Sequence, residues 1–287
     1  MRVEEFEVKK SGKLIGVVGS YFSNISLSKI KSALKNKDIK VDGKRVKENV
    51  EVDAGQVITL YLSDDVFDVK IDIIFEDENI VVVNKPQGVE TINIDGVGLI
   101  DYLKKQTGVN VFAVHRLDRN TMGLVVFAKN EQAKNELDLA LKNRTIEKFY
   151  YALVYGLLAK QKDEMIAYLK KDSKNSIVSV IDKPMSGYEK IQTNYCVVGE
   201  VENASLVEVE LVTGKTHQIR SHFAHIGHFV VGDEKYGDVK INKIFKKNKQ
   251  CLCSHKIVFH FADGCLKYLD GKIVELDKSK IDFCQNL

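Results

Sequence analysis

The polar and apolar positions of this 287-residue chain change rhythm after about residue 64. Before that point, Leu27, Ile30 and Leu34 recur at helical spacing between Ser26 and Asn36, which predicts one amphipathic helix. Ile39-Lys40-Val41, Asp42-Gly43 and Lys44-Arg45-Val46 follow. An Asp-Gly pair between short alternating runs predicts a hairpin, because both residues tolerate the positive φ of a tight turn. Val57 to Leu62 reads as a closing strand, and Ser63-Asp64-Asp65 as a polar linker.

From Phe67 onward, strands are separated by single helices. Residues 80–84 and 124–128 are apolar runs of strand length. After Asn130, a candidate helix cap, Ala133, Leu137, Ala140 and Leu141 share a helical face. Residues 149–155 read as an aromatic-rich strand. Val207, Val209 and Leu211 alternate with Glu208 and Glu210, a strand with one wet face. Ile219, Phe223 and Ile226 predict another helix, closed by Gly227. Many strands and few helices imply an α+β fold on a mixed, largely antiparallel sheet. Two domains are expected, a small α+β unit at residues 1–64 and a larger α+β domain at 65–287.

Composition narrows the classes. With 44% hydrophobic and 29% charged residues the chain reads as a soluble globular protein, and its net charge of +3 names no partner. The first seven residues carry acids and no apolar core, unlike a signal peptide. No apolar run approaches the roughly 18 residues of a membrane span. The five cysteines, an odd number without a disulfide framework, are expected as free thiols in a reducing cytoplasm. Cys251-Leu252-Cys253, with His255 and His260 nearby, lacks the spacing of a zinc knuckle, and Val258 and Phe259 make this stretch a strand.

Charge is local where it matters. Between residues 27 and 47, Lys29, Lys31, Lys35, Lys37, Lys40, Lys44, Arg45 and Lys47 are opposed only by Asp38 and Asp42. Such a run is either a solvated lysine face or a phosphate-binding one. In His115-Arg116-Leu117-Asp118-Arg119, one carboxylate stands between two arginines ahead of an apolar strand. Neighbouring cations favour the ionised form, so Asp118 is expected to act as an acceptor or nucleophile and not as an acid. Alone, this would be an ordinary Asp–Arg pair at a strand end.

Three further segments change that reading: Asn84-Lys85-Pro86-Gln87-Gly88-Val89, Lys148-Phe149-Tyr150 with Ala152, Val154 and Gly156, and Thr213-Gly214-Lys215-Thr216-His217-Gln218-Ile219-Arg220. Gly232-Asp233-Glu234-Lys235-Tyr236-Gly237 also fits. In this order they resemble the RluA-type pseudouridine synthases, enzymes that isomerise uridine in RNA. The basic helix and hairpin, with the closing Gly55-Gln56-Val57-Ile58, resemble the small RNA-binding domain named after ribosomal small-subunit protein four (S-four type).

The resemblance implies a catalytic site of Asp118, Tyr150 and Arg220, in which Tyr150 stacks on the uracil and Arg220 pairs with the carboxylate. Arg116 is implied to enter the RNA stack where the target base has left, and His115 to be structural. Arg119, Lys215 and His217, with Lys29, Lys35, Lys44 and Arg45 of the small domain, are expected to contact RNA. The implied reaction breaks the bond from the anomeric carbon to the uracil nitrogen, turns the base, and rejoins it through carbon 5. It involves neither redox change nor hydrolysis, so no cofactor and no metal is expected. Three routes stay open for Asp118: attack on the sugar, attack on the ring, or removal of a sugar proton. The Tyr150 hydroxyl is a candidate for removing the proton from carbon 5.

The chain departs from the family pattern in places. Met122 stands for Ser, Lys215 for Arg, and Glu90-Thr91 follows Val89 where a proline is usual, while the stretch after Asp238 matches poorly. His222 and His225 have no acidic partner at the spacing of helical zinc motifs, so packing or RNA contact is expected of them. The favoured expectation is a monomeric, site-specific synthase acting on large-subunit ribosomal RNA. The alternatives are a non-catalytic assembly factor on the same fold and a hydrolase, which would need a second carboxylate.

Overall fold

The structure, a computed structural model, describes residues 2–22, 25, 27–62, 69–93, 96–172 and 177–285. Ser26, Phe67 and the linker expected at Ser63-Asp64-Asp65, and with them the boundary at 64/65, lie outside these residues.

The N-terminal unit runs β1 (Arg2–Glu7), β2 (Gly12–Lys13), α1 (Leu14–Tyr21), α2 (Leu27–Lys35), β3 (Ile39–Val41), β4 (Lys44–Arg45), β5 (Glu51–Val52) and β6 (Val57–Leu62). β1, β6, β3 and β4 form an antiparallel sheet in that order, and β2 pairs with β5. The hairpin between β3 and β4 forms as expected, with φ of 47° at Asp42 and 76° at Gly43. Ile30, Ala33 and Leu34 of α2 are buried against Leu14, Val18, Ile39, Ile58 and Leu60. Leu27, expected on that face, is 58% exposed. Side chains lean toward the N-terminus of a helix, so the first residue of α2 projects past the core it precedes.

The larger unit comprises β7 (Asp72–Glu76), β8 (Ile80–Lys85), α3 (Leu99–Thr107), β9 (Phe112–Ala113), β10 (Met122–Ala128), α4 (Glu131–Asn143), β11 (Ile146–Tyr155), β12 (Lys162–Asp172), β13 (Ile177–Ile181), β14 (Glu189–Val201), β15 (Ala204–Glu210), α5 (Gln218–His225), α6 (Val239–Ile244), β16 (Leu252–Phe259) and β17 (Ile273–Glu275). One sheet runs β13-β12-β14-β15-β11-β16-β10-β8-β7, with β17 against β16 and β9 against β10. Only β10 and β16 pair in parallel among the described strands, which makes the sheet mixed and largely antiparallel.

The period of two sorts side chains to the two faces. Leu124, Val126 and Ala128 pack on one side with Ala133 and Leu137 of α4, whose first turn is capped by Asn130 accepting from the Ala133 amide at 2.8 Å. Val125 and Phe127 pack on the other side with Leu99, Tyr150, Val207 and Phe223. Ile219 and Phe223 of α5 are buried as expected, whereas Ile226 is 40% exposed, because the helix ends at His225 and Gly227 turns the chain away at φ 86°.

β16 lies in the stretch expected to match the family pattern poorly, yet it fills the centre of the sheet. It fits because Gly123 has no side chain: a Cβ there would lie 2.1 Å from the Ser254 carbonyl oxygen. Opposite, the pairing of β11 with β16 slips between Phe149 and Tyr150, which face Lys256 and Ser254, leaving His255 as the extra residue of a bulge.

Candidate active site

Asp118 sits in the loop that leads into β10. Its backbone carbonyl accepts from the Thr121 amide at 3.0 Å, and its flanking residue Leu117 is buried. Thr91 is buried and staples this loop. Its hydroxyl accepts from the Leu117 amide (3.1 Å) and donates to the Leu117 carbonyl (3.3 Å). On the other side of Asp118, the Gly88 amide donates to the Arg119 carbonyl at 2.8 Å and the Arg119 Nε donates to the Gly88 carbonyl at 3.2 Å. Lys85, fully buried, sends its ammonium to the carbonyls of Pro86 (2.9 Å), Val89 (2.7 Å) and Arg119 (3.0 Å). Burial pushes its pKa down to about 7, with the charge of Asp118 opposing the drop. The sequence motif contained Lys85, but its role as a brace of the Asp118 loop depends on the Arg119 carbonyl, 34 residues away.

Arg220, on the first turn of α5, donates through one terminal nitrogen to Asp118 Oδ2 at 2.8 Å. Its Nε and other terminal nitrogen donate to Asp233 at 2.6 and 2.9 Å, a bidentate pair. Burial works against the guanidinium charge, but the hydrogen bonds and charges of Asp233 and Asp118 raise its pKa above the usual value. Asp233 is buried too, and the same Arg220 contacts, with the amides of Lys235 and Tyr236, hold its carboxyl below the usual range. The Tyr236 ring lies 5.2 Å from the guanidinium carbon.

His217 precedes α5 with φ 54°, a left-handed conformation. Its Nδ1 is 2.8 Å from the Tyr236 hydroxyl and its Nε2 is 3.9 Å from Asp118 Oδ1. Burial lowers its pKa, against the pull of Asp118. The turn before it is fixed by Gln218, whose Oε1 accepts from Thr213 Oγ1 (2.8 Å) and the Lys215 amide (3.1 Å). The Lys215 ammonium is paired with Glu189.

Tyr150 lies on β11, 5% exposed, and burial raises the pKa of its phenol, as does the nearby charge of Asp118. Asp118, Tyr150 and Arg220 line a single cleft of about 480 Å³, together with Arg116, Lys148 and Lys215. An adjoining cleft of about 610 Å³ shares Arg116, Asp118, His217 and Arg220 and is extended by Arg119 and Lys235. His115 is held neutral: its Nε2 accepts from the Val126 amide at 3.0 Å, and burial lowers its pKa to about 3.

Outside the clefts, His222 Nδ1 is 2.9 Å from Thr193 Oγ1, and His225 is 2.7 Å from Asp182. His228 Nδ1 is 2.8 Å from the Tyr155 carbonyl. Among the described residues, no three His, Cys, Asp or Glu side chains converge as a metal-binding set, and no helix is long and apolar enough to cross a membrane. Lys29, Lys35, Lys44 and Arg45 are exposed on the N-terminal unit, where Arg45 donates to the Lys37 carbonyl at 2.6 Å. Sequence reasoning gave no role to Asp233, Lys85, Lys148, Lys142 or Arg144, although the first three fall within its motifs.

The cleft thus gathers an arginine-held carboxylate and a buried tyrosine on one face of the sheet. Residues 79–225 match the family of RNA pseudouridylate synthases, and the chain belongs to that family. It is an RNA pseudouridine synthase, an isomerase. It is 30% identical over 251 residues to the RNA pseudouridine synthase YlyB of Bacillus subtilis, covering 82% of each chain. It is 31% identical over 235 residues to ribosomal large subunit pseudouridine synthase C of Vibrio cholerae, covering 75% of this chain and 73% of that one. The solved structure of human RNA pseudouridylate synthase domain containing 1 has the same fold, with a TM-score of 0.59 at 21% identity over 76% of this chain and 96% of that one.

Proposed function

We propose that this protein converts specific uridines of large-subunit ribosomal RNA to pseudouridine, with Asp118 as the catalytic carboxylate. The observation that carries this reading is the 2.8 Å hydrogen bond from Arg220 to Asp118 inside a cleft that Tyr150 also lines. The target nucleotide is flipped out of the RNA, at a cost of a few kcal/mol, because a carboxylate in a cleft cannot reach a stacked base. Tyr150 carries the uracil face, Arg220 fixes one carboxylate oxygen, and the other oxygen is left toward the nucleoside. Arg116 and Arg119 occupy the place of the displaced base and the flanking strand. All three routes for Asp118 start from an ionised side chain, and the Arg220 guanidinium is its charged partner at 2.8 Å.

The ribosomal target is supported by the name of the Vibrio cholerae relative. The unit at residues 1–64 is read as an S-four-type domain that adds affinity through its basic face, and residues 65–287 as the catalytic domain. The enzyme is proposed to act as a monomer in the cytoplasm. Tritium release from RNA labelled at carbon 5 of uridine is the test. Wild type should release tritium and Asp118→Asn should not, while both bind the RNA. Release by the variant at the wild-type rate would remove Asp118 from the chemistry, and no release by either protein would favour an assembly factor.

A further inference from the structure

We infer that Lys148 is the phosphate-binding residue of the cleft, taking a non-bridging oxygen of the phosphodiester beside the uridine that rests on Tyr150. The inference rests on the RNA reading above. Lys148 and Tyr150 are two positions apart on β11, so their side chains leave the same face of the sheet about 7 Å apart along the strand. That separation suits a nucleotide whose base and phosphate are held by different residues of one strand.

Lys148 is half-buried, and burial lowers its pKa with no opposing charge. Among the described residues, its side chain has neither a carboxylate partner nor a hydrogen-bond acceptor. Desolvating a cation without a partner is unfavourable, so such a group points to an anion that arrives with the substrate. The described residues offer it none. Among the described residues, Asp118 is the single carboxylate lining the cleft and is already paired with Arg220, while Lys215 is paired with Glu189.

The surroundings keep the position open. Gly214 faces the ammonium, and a Cβ there would lie 3.6 Å from Lys148 Nζ, so the missing side chain leaves room for a ligand oxygen. His115, close enough for the lysine charge to depress its own pKa, is neutral and provides no counter-charge. Lys142 and Arg144, exposed at the end of α4, line the same cleft and extend the positive potential toward solvent.

The test uses the whole protein and ribosomal RNA from cells lacking the gene, which retains the unmodified target. Single-turnover pseudouridine formation is followed for wild type, Lys148→Met and Lys148→Arg at several salt concentrations. Lys148→Met should raise the half-saturating enzyme concentration about tenfold, the effect of one charged hydrogen bond. It should also flatten the salt dependence by about 0.7 in log–log slope, as expected for one fewer phosphate contact to a single strand. Its Tm should be equal to or above that of wild type, since an unpaired cation has gone, and Lys148→Arg should recover most of the affinity. An unchanged half-saturation point would overturn the assignment. So would weaker binding with an unchanged salt slope, which would turn the ammonium toward a uracil carbonyl. A lowered Tm without rescue by arginine would make Lys148 a structural residue. Inactive wild type on this RNA would remove the functional reading and this inference together.

Discussion

Asp233 holds Arg220 through two hydrogen bonds, of 2.6 and 2.9 Å, whereas Arg220 reaches Asp118 through one of 2.8 Å. The arginine is therefore fixed from behind by a buried carboxylate and presents its last donor to the cleft. Asp233 does not line either cleft, so its influence on chemistry passes through Arg220.

Asp233→Asn should lower activity about a hundredfold by misplacing Arg220, with little change in RNA affinity. Breaking one side of a buried ion pair should also cost roughly 3–5 kcal/mol of stability. The folded-state pKa of Asp233 is depressed, so its contribution is present above the unfolded carboxyl pKa of about 3.9 and is lost as pH falls through the lower folded value. The stability gap between wild type and variant should thus shrink below about pH 4. A gap that stayed constant from neutral pH to pH 3 would mean that the carboxylate charge contributes nothing.

Tyr150 separates into a ring and a hydroxyl. Tyr150→Leu should weaken RNA binding by about 1–3 kcal/mol, the contribution of one stacked base. Tyr150→Phe should keep that affinity and slow product formation, because burial holds the phenol protonated at neutral pH and only a specific contact can use it. Filter binding in an Asp118→Asn background measures the first effect, and tritium release the second. Full turnover by Tyr150→Phe would leave the ring alone as the functional part.

The legible parts of this protein were those set by short-range pattern. Asp118, Tyr150 and Arg220 stood in compact motifs, and α4 announced itself through Asn130 and one apolar face. The bracing groups were not legible, because Lys85 meets the Arg119 carbonyl 34 residues away and Gln87 meets the Gln250 carbonyl 163 residues away. β12, β13 and β14 were missed for another reason. They bury a small cluster of Ala167, Leu169, Val178 and Ile191, too few apolar positions to dominate so polar a stretch. β1 alternates weakly for similar reasons, with Val3 53% exposed and Phe6 buried.

Lys85 gives a pH prediction of the same sign as Asp233, in a window at higher pH. With its pKa lowered to about 7, the folded chain binds fewer protons than the unfolded chain between about pH 7 and 10.4. Stability therefore rises with pH across that window, relative to a variant without the amine. The Tm of wild type should gain on that of Lys85→Met as pH rises from 7 to about 10. Activity should fall along the same limb, because a neutral amine cannot serve all three carbonyls, that of Arg119 beside Asp118 among them. Parallel Tm curves would place the titration of Lys85 above this range.

The N-terminal unit meets the larger one through the backbone carbonyls of Ser20 and Tyr21. The Val97 amide donates to the Tyr21 carbonyl at 2.9 Å, and Asn93 Nδ2 donates to the Ser20 carbonyl at 2.8 Å. A Cβ on Gly96 would lie 2.1 Å from the Tyr21 oxygen. Gly96→Ala should separate the two units while leaving each core intact. Small-angle scattering should show a larger radius of gyration, with the Tm of the larger unit unchanged. An unchanged scattering profile would show that the contact is dispensable for their arrangement.

The basic face of the N-terminal unit makes the last prediction. Lys29, Lys35, Lys44 and Arg45 are all exposed, and the Arg45 guanidinium lies 5.5 Å from the centre of the Tyr61 ring. Replacing the four by Gln removes four candidate phosphate contacts. The log–log salt slope of RNA binding should flatten by about three units, since each contact contributes roughly 0.7–0.9. Turnover at saturating RNA should persist, because none of the four lines the cleft that holds Asp118. Arg45 also donates to the Lys37 carbonyl, so a matched Arg45→Gln single variant is needed to separate hairpin stability from binding. If the quadruple variant keeps the wild-type slope, these side chains are solvated surface and the RNA is held by the catalytic domain alone.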